Sequence, residues 1–516
     1  MSSESRSPSN NGGGTAPHVV ARNSVYNLFT QVLVAGVALW AIPIIVRGLS
    51  KEGFGLLAIV WAFVGYFTLL DFGVSRAATK YFSEAAGRGS HTEMYNLLWS
   101  SVNSMFVIGL ISVVITISAT PLLVDHVFHV SESMHQEAVR AFYLSAIGIP
   151  FMLIFGVLKG LQMALQRFDL VNLFQALLNG AQYAGSVAVL MMGYGLQEVI
   201  LLTVGIRVAL TLVSFILLPR LVPGSFTNIR LWDVVSLKRL YSFGGWITIS
   251  QIISPLFLYL DRFFIGFFIS LGAVTYYVVP QEALTRLLLI PMSLTTTLFP
   301  ALSEYSSRPE HSQKTETMYY RSSKYMVFGM MPLILLFGLF APEILSLWLG
   351  KEFASHCQTI FRILCVGLFF NSLAQIPITV LHAFGKPSVT AKFHLIELPV
   401  MVLLSVILIP MFGILGAAVS WSIRVVLDCG LLFWAVRHYL GEIVTPLGRN
   451  FHIVRNAMPL VPLIIMTAVV TLVPGVPLKL AITFTLAIVY VSSTWLYGLD
   501  ETDRSFLNGL RKRLVS

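Results

Sequence analysis

Residues 97–120 read LLWSSVNSMFVIGLISVVITISAT, an uninterrupted run without a charged side chain. About 20 apolar residues in a helix are long enough to cross the hydrocarbon core of a bilayer. Similar runs recur along the 516-residue chain, which is 56% hydrophobic and 11% charged. Soluble domains average about 25% charged residues, so too little polar surface remains here to coat a water-soluble particle. The sequence predicts an all-α, polytopic membrane protein.

The recurring runs define about fourteen transmembrane helices. They are predicted at 25–46, 53–73, 97–120, 139–163, 170–193, 196–219, 241–269, 273–301, 323–349, 357–384, 393–412, 415–436, 457–473 and 478–498. Barrel strands would instead give short segments of alternating polarity, and the sequence has none. The segments between the runs are too short to hold a folded domain outside the membrane.

The distribution of the 34 Lys and Arg residues predicts the orientation. With a cytoplasmic N-terminus, the opposite side receives only Arg47, Lys51, Lys351 and Lys479. Cytoplasmic loops carry the excess of positive charge in membrane proteins, so both termini are predicted to be cytoplasmic. The formal net charge of +10 is explained by this topology, and we expect no nucleic-acid partner.

The runs also suggest a division of the chain. Residues 1–21, rich in Ser, Asn and Gly, are predicted to be a disordered cytoplasmic segment. An N-lobe of six spans (22–220) and a C-lobe of six spans (241–437) follow, joined by a cytoplasmic linker (221–240). The remaining predictions are two extra spans (457–498) and a basic amphipathic cytoplasmic tail (499–516).

A weak internal repeat supports the two lobes. Ile206-Arg207-Val208 in the sixth span matches Ile423-Arg424-Val425 in the twelfth, and Ser83-Glu84 matches Ser303-Glu304. Six spans per copy give both copies the same orientation, which predicts a parallel repeat about an axis normal to the membrane. In such transporters the substrate path runs between the copies.

Charged side chains inside predicted spans are candidates for function, because each costs roughly 2.5–3.5 kcal/mol at the bilayer centre. The candidate anion contacts are Arg207, Arg262, Arg286 and Arg424. The acids Asp261, Glu282, Glu397 and Asp428 are candidates either for binding a coupling ion or for structural pairing. Glu282 with Arg286, and Arg424 with Asp428, are four residues apart and can pair on one helix face.

Uncharged polar residues form a second pattern. In the fifth span they recur at intervals of three and four residues, and a shorter stripe lies in the tenth span. These candidate polar lining residues are Asn172, Gln175, Asn179, Gln182, Asn371 and Gln375. Such a stripe suits sugar hydroxyls, and equally suits hydrogen bonds between membrane helices. The sequence has no Walker A loop, metal-ligand cluster or nucleophile elbow, so no cofactor, metal or catalytic residue is predicted.

Several short motifs occur in order along the chain. They are Arg22-Asn23-Ser24, Ile42-Pro43-Ile44-Ile45-Val46-Arg47-Gly48-Leu49, Gly53-Phe54-Gly55-Leu56, Asp71-Phe72-Gly73 with Arg76, Leu260-Asp261-Arg262-Phe263, Ala273-Val274 through Tyr276-Tyr277, Thr285-Arg286, and Phe299-Pro300-Ala301-Leu302-Ser303. Through them, about residues 20–440 resemble the polysaccharide transporter family. This family contains the Wzx-type oligosaccharide and O-antigen flippases of the multidrug/oligosaccharidyl-lipid/polysaccharide (MOP) flippase superfamily.

The resemblance implies a twelve-helix core of two lobes around a cationic cavity that opens alternately to each side. It implies transport of an undecaprenyl-pyrophosphate-linked oligosaccharide across the bacterial inner membrane for surface polysaccharide assembly. The implied driving force is a gradient of H⁺ or Na⁺. The implied partners are membrane lipids, the polysaccharide polymerase and the chain-length machinery. Arg262 and Arg286 stand in matching motifs, whereas Arg207 and Arg424 follow from the repeat.

Three other functions remain open from the sequence. A multidrug or cation antiporter of the same superfamily would use a buried acid such as Asp261, Glu282 or Asp428 as its cation site. A lipid II flippase would share the fold. A membrane glycosyltransferase or polymerase would need acidic catalytic residues at an interface, and the short outside loops argue against it.

Overall fold

The backbone of this protein is helical throughout the part that the structure describes. In the computed structural model these residues are 17–67, 71, 73–229, 232–306, 312–441, 458–473, 475–499 and 504. The described residues contain no strand, and the predicted all-α membrane class is confirmed. Residues 1–16 and most of the predicted tail at 499–516 lie outside the described residues, whereas residues 17–21, expected to be disordered, belong to the first helix.

The helices follow one another with short turns. The first six are α1 (Pro17–Phe67), α2 (Val74–Gly87), α3 (His91–Leu122), α4 (His135–Ala164), α5 (Phe168–Met191) and α6 (Leu196–Leu221). The next eight are α7 (Val234–Phe268), α8 (Leu271–Thr285), α9 (Leu289–Ser306), α10 (Ser312–Leu339), α11 (Ala341–Leu349), α12 (Lys351–Ala383), α13 (Pro387–Phe412) and α14 (Ile414–Leu440). The last two are α15 (Val461–Leu472) and α16 (Val476–Ser493).

The first two predicted spans lie in the two halves of α1, and each later span coincides with one helix or with a bent pair of helices. Among the described residues, ten helical stretches have the length and hydropathy of a membrane span. One of them, Thr30–Phe67, covers two predicted spans. The amphipathic helix α2 was not predicted, and the described part of the second span runs to Phe67, with residues 68–70 and 72 outside the described residues.

Helix α1 is two helices separated by a break at Ser50, whose φ of 66° interrupts the helical backbone. The Ser50 hydroxyl accepts a hydrogen bond from the Gly53 amide at 3.3 Å. Serine is among the preferred residues for capping the free amides at a helix N-terminus, so Ser50 both ends the first half and begins the second. The turn places Lys51 and Glu52 at one end of the bundle.

The two lobes repeat one packing pattern. Helix α4 packs on α6 as α12 packs on α14, and α1 packs on α5 as α7 packs on α13. The same bond recurs in each lobe: Thr211 donates to the carbonyl of Phe151 at 3.1 Å, and Ser422 donates to that of Ile363 at 3.1 Å. On the basis of this matching packing, we call α1–α6 the N-lobe and α7–α14 the C-lobe.

The lobes meet closely at the end of the bundle where Ser50 lies. Lys51 of the N-lobe pairs with Glu352 of the C-lobe, and the Thr275 hydroxyl donates to the Lys51 carbonyl at 2.6 Å. A Cβ added at Gly55 would lie 1.8 Å from the carbonyl oxygen of Leu271. Backbone therefore lies directly against backbone here. The contacting residues are Lys51, Gly55, Leu271, Thr275 and Glu352. Together with the adjacent Ser50 we call them the Ser50 latch, and they close the space between the lobes at this end.

Helix α7 is held by the N-lobe at the opposite end. Its first residues follow Asp233, whose amide donates to Ser100 of α3 at 3.0 Å. One turn later, Arg239 pairs with Glu93 of α3 at 2.6 Å and with Glu84 of α2 at 3.6 Å. The same helix packs on α13 of the C-lobe. Because it belongs to both packing units, α7 connects the lobes mechanically.

The two C-terminal helices pack against α10. Their shared core includes Leu339, Leu463 and Met466, and the Tyr490 hydroxyl donates to the Phe328 carbonyl at 2.6 Å. A salt bridge of 2.9 Å joins Lys479 of α16 to Glu343 of α11. Among the described residues, the contacts of α15 and α16 named here are with helices of the C-lobe. The two helices therefore form an addition to that lobe.

Candidate functional site

Two arginines converge on one glutamate near the C-terminal ends of α7 and α8, the first two helices of the C-lobe. Glu282 of α8 accepts from Arg262 of α7 at 2.9 Å through one carboxylate oxygen, and from Arg286 at 3.0 Å through the other. Arg286 follows the last residue of α8 and begins a short 3-10 turn. Two cations sharing one acid leave an excess of one positive charge. The predicted Glu282–Arg286 pair is present, and Arg262 completes it.

Aromatic side chains from both lobes surround these arginines. Arg286 donates to the hydroxyl of Tyr183 on α5 at 3.3 Å, and Tyr183 lies edge-on to Trp61 of α1. The Arg262 guanidinium lies 5.2 Å from the ring centre of Tyr259. The cluster therefore contains residues of the N-lobe and of the C-lobe, and it lies between them. We call it the interlobe arginine site.

Several donors at this site have no hydrogen-bond partner among the described residues. They include the buried Nε atoms of Arg262 and Arg286, the indole nitrogen of Trp61, and the hydroxyl of Tyr66, whose ring contacts that of Tyr259. The Arg262 side chain is 5% exposed and that of Arg286 is 27% exposed. A buried donor without an acceptor is costly. The site is thus poised to receive an acceptor such as an anion.

Asp261 does not join the interlobe arginine site. It is fully buried and accepts from the Tyr277 hydroxyl at 2.7 Å, while Gln281 lies 3.4 Å from the same hydroxyl. Adjacent residues on a helix point about 100° apart, which explains why Asp261 and Arg262 have different partners. The contacts of Asp261 place it within the packing of α7 against α8.

A second charged cluster joins α7, α13 and α14. Arg424 pairs with Glu397 of α13 at 3.5 Å and lies 4.4 Å from the ring centre of Phe257. Asp428, His394 and Glu397 have side-chain ligand atoms within 4.8 Å of one another. The sequence interpretation paired Arg424 with Asp428. The sequence does not reveal that α13 places Glu397 next to Arg424 and His394 next to the two acids.

Arg207 lies on α6 inside the N-lobe. Its Nη1 contacts the sulfur of Met152 at 3.3 Å, its Nε is buried without a partner, and no acid pairs with it among the described residues. It lines a small cavity together with Trp61. Since Trp61 also contacts Tyr183, Arg207 adjoins the interlobe arginine site. Arg424, its match in the repeat, contacts different elements, and the structure does not bring the two together.

The polar stripes are half-buried. Gln175 accepts from Lys159 of α4 at 2.9 Å, which adds a cation to the α5 face. For the other stripe residues the structure describes no side-chain hydrogen bond. These residues are Asn172, Asn179, Gln182, Asn371 and Gln375. Their amides are therefore available to bind hydroxyl groups.

Sequence reasoning missed the aromatic residues of the site. Trp61, Tyr183 and Tyr259 were not singled out, because aromatic residues are frequent in apolar spans. One signal was available: Tyr183 follows Asn179 by four residues and continues the polar face of α5. Similarly, His394 precedes Glu397 by three residues and lies on the same face of α13.

Comparison with known proteins identifies the family of this chain. The model of the polysaccharide biosynthesis protein family matches residues 20–306, more than half of the chain. The chain belongs to this family. It is 30% identical over 416 residues to a Shigella flexneri protein assigned as an O-antigen transporter, with coverage of 80% of the chain and 97% of that protein. It is also 22% identical over 423 residues to the membrane protein EpsK of Bacillus subtilis, covering 78% and 79%.

Solved structures show the same fold. The lipid II flippase MurJ in an inward closed conformation superposes with a TM-score of 0.70 at 14% identity, covering 92% of the chain and 99% of MurJ. An inward-facing MATE-family multidrug transporter of the MOP superfamily superposes with a TM-score of 0.67 at 13% identity, covering 81% and 98%. The chain therefore has the MOP fold. Its family and fold are those of membrane transporters and flippases for polysaccharide biosynthesis, not of enzymes.

Proposed function

We propose that this protein is a flippase that moves an undecaprenyl-pyrophosphate-linked oligosaccharide across the inner membrane for O-antigen, capsule or exopolysaccharide assembly. The observation that carries the proposal is the interlobe arginine site, with its excess positive charge and buried free donors between the lobes of a MOP fold. The 30% identity to a protein assigned to O-antigen transport supports the substrate class.

The pyrophosphate is the group that the arginines would bind. An arginine presents a planar fork of donors that matches phosphate oxygens and stays charged when buried. Arg262 and Arg286 already share Glu282, so an entering anion would compete with one carboxylate for two guanidinium groups. This competition offers a way to bind the anion without holding it permanently. Arg207, next to Trp61, would add a further cation on the N-lobe side.

The glycan would contact the polar and aromatic surfaces around this site. An amide offers donors and acceptors in one group, which suits a ring of hydroxyls. Gln182 and Asn179 of α5 lie on the same helix as Tyr183, and Asn371 with Gln375 would provide the matching surface of the C-lobe. This arrangement would accept sugars of varied identity, because none of these contacts requires one particular stereochemistry.

The Ser50 latch supports alternating access. With the N-terminus in the cytoplasm, the latch lies at the periplasmic end of the bundle, and the state described here is closed to the periplasm. Substrate would enter from the cytoplasmic leaflet, and release would require separation of Gly55 from Leu271. The connection through α7 would transmit movement between the lobes.

The second charged cluster is the best candidate for coupling to H⁺ or Na⁺. Glu397 and Asp428 lie beside one another with His394, and each acid has a buried oxygen without a partner among the described residues. Arg424 neutralises part of this charge through Glu397. Binding of a cation there would change the balance between Arg424 and the two acids. Asp261 is less suited to this role because Tyr277 already holds it.

The proposal is tested first in a deletion strain. Loss of the gene should remove the surface polysaccharide and trap the lipid-linked unit on the cytoplasmic leaflet. The wild-type gene should restore the surface glycan, whereas Arg262→Ala should not, although the protein still inserts. Arg140→Ala is the matched control, since Arg140 is exposed and the structure describes no partner for it.

The opposite outcomes separate the alternatives. Normal surface glycan together with sensitivity to toxic cations would favour a multidrug antiporter of the same fold. Death of the strain through loss of peptidoglycan precursor transport would favour lipid II as the substrate. Normal surface glycan in the Arg262→Ala strain would remove the assigned role of this arginine. Contacts with the polymerase and the chain-length machinery would be tested by cross-linking in the same strains.

A further inference from the structure

A cleft of about 400 Å³ lies between the C-lobe and the two added helices. Its walls come from α10, α12, α15 and α16. Its apolar lining residues include Ile334, Leu335 and Val470. Arg362 and Lys479 are the charged residues among its described lining. The cleft thus combines two cations with an apolar wall.

Arg362 and Lys479 each have more hydrogen-bond donors than their contacts within the protein use. Arg362 uses its Nε to bind the Gly338 carbonyl at 3.1 Å, and no acidic side chain pairs with it within the described part of the chain. Lys479 pairs with Glu343 at 2.9 Å, and an ammonium group has three donors. Glu343 pairs with Lys479 and not with Arg362, so the two cations together carry an excess of one positive charge.

The cleft opens towards the surrounding lipid rather than towards the substrate path. Val366 lines it and is 52% exposed. No residue of the N-lobe is among its lining residues in the described part of the chain. A molecule held there would lie on the outer side of the C-lobe, away from the interlobe arginine site.

We infer that this cleft binds an anionic phospholipid of the bilayer. The phosphate group contacts Arg362 and Lys479 at the membrane interface, and an acyl chain lies along Ile334, Leu335 and Val470. Arginine and lysine donate charge-assisted hydrogen bonds to phosphate oxygens, and an exposed ion pair gives a factor of about five in affinity at most. The lipid would bridge α10 and α12 to α15 and α16, and would fasten the added helices to the lobe. This inference does not depend on the identity of the transported substrate.

The test uses the full-length protein purified in detergent. Native mass spectrometry would measure retained lipid, and thermal melting would measure protection, with dioleoylphosphatidylglycerol against dioleoylphosphatidylcholine. We expect selective retention of phosphatidylglycerol and a rise in Tm with that lipid. Arg362→Ala should weaken binding by up to about five-fold, and Arg362→Ala with Lys479→Ala by up to about thirty-fold. Lys351→Ala, which removes an exposed cation outside the cleft, should have no effect.

A variant that leaves all charges in place tests the position of the lipid. A Cβ at Gly338 meets no atom within 4 Å, so Gly338→Leu should fold and should fill the cleft. It should lose phosphatidylglycerol binding as the double variant does.

The inference would be overturned by equal binding of the two phospholipids, by equal loss in Lys351→Ala, or by unchanged binding in Gly338→Leu. A polyprenyl phosphate that displaces phosphatidylglycerol from the cleft would also contradict it, because the cleft would then belong to the transported lipid.

Discussion

Substitution of Gly55 tests whether closure of the Ser50 latch governs access between the lobes. The methyl group of Gly55→Ala would lie 1.8 Å from the Leu271 carbonyl oxygen and 2.7 Å from its carbon. The closest ordinary contacts between carbon and a carbonyl oxygen are about 3.3 Å. The two helices must therefore move apart by about 1.5 Å. Neither partner is a flexible side chain, so the latch cannot absorb this movement locally.

The energetic effect follows from the same contact. Overpacking of a tight interface costs about 1–3 kcal/mol, and here the cost falls on the closed state alone. Opening of the latch should become about five- to 150-fold more favourable. Within α1 itself, alanine is a better helix former than glycine by about 1 kcal/mol, so insertion and folding of the helix should not suffer.

The labelling rate of the Cys357 thiol reports opening of the Ser50 latch. It is buried beside the latch, and its thiol lies 3.2 Å from the Tyr276 carbonyl. We expect a membrane-impermeant maleimide to label Cys357 slowly in the wild type and at least five-fold faster in Gly55→Ala. Gly36→Ala is the matched control on the same helix, because a Cβ there meets no atom within 4 Å. Equal labelling of Gly55→Ala and wild type, or equal acceleration in Gly36→Ala, would refute the reasoning.

Two further predictions concern single contacts. Tyr277→Phe removes the donor to buried Asp261 and should lower the free energy of unfolding by about 1–3 kcal/mol, seen as a lower Tm than for Tyr143→Phe, whose ring is exposed. An unchanged Tm would mean that Asp261 has another partner. Lys51→Glu or Glu352→Lys should accelerate the thiol labelling by a few-fold at most, since the pair is exposed and its attraction is screened by water and salt. The double exchange should restore the wild-type rate, and failure to do so would exclude the pair from the latch.

The sequence predicted the helical architecture well because membrane spans are local features. An apolar run such as 97–120 identifies its helix without knowledge of its neighbours. The break at Ser50 was predicted as a loop between two spans for the same reason. Helix α2 was missed because its amphipathic pattern lies at an interface and has no long apolar run.

The candidate site was predicted only where the partners lie on one helix. Glu282 and Arg286 are four residues apart, and their pairing follows from helical geometry. Arg424 met the same criterion with Asp428, yet it binds Glu397, because packing between α13 and α14 decides the partner. The contact between Arg286 and Tyr183 joins residues of different lobes, and no spacing in the sequence reports it.

The most direct test of the central proposal is transport by the purified protein in liposomes. Undecaprenyl-pyrophosphate-linked oligosaccharide would be incorporated, and its appearance in the outer leaflet would be followed with an impermeant glycosidase. We expect the wild type and Arg140→Ala to expose the substrate, with an imposed ion gradient increasing the rate, and Arg262→Ala to leave it protected. Equal rates in empty liposomes and in those with the wild type, or full activity of Arg262→Ala, would contradict the account.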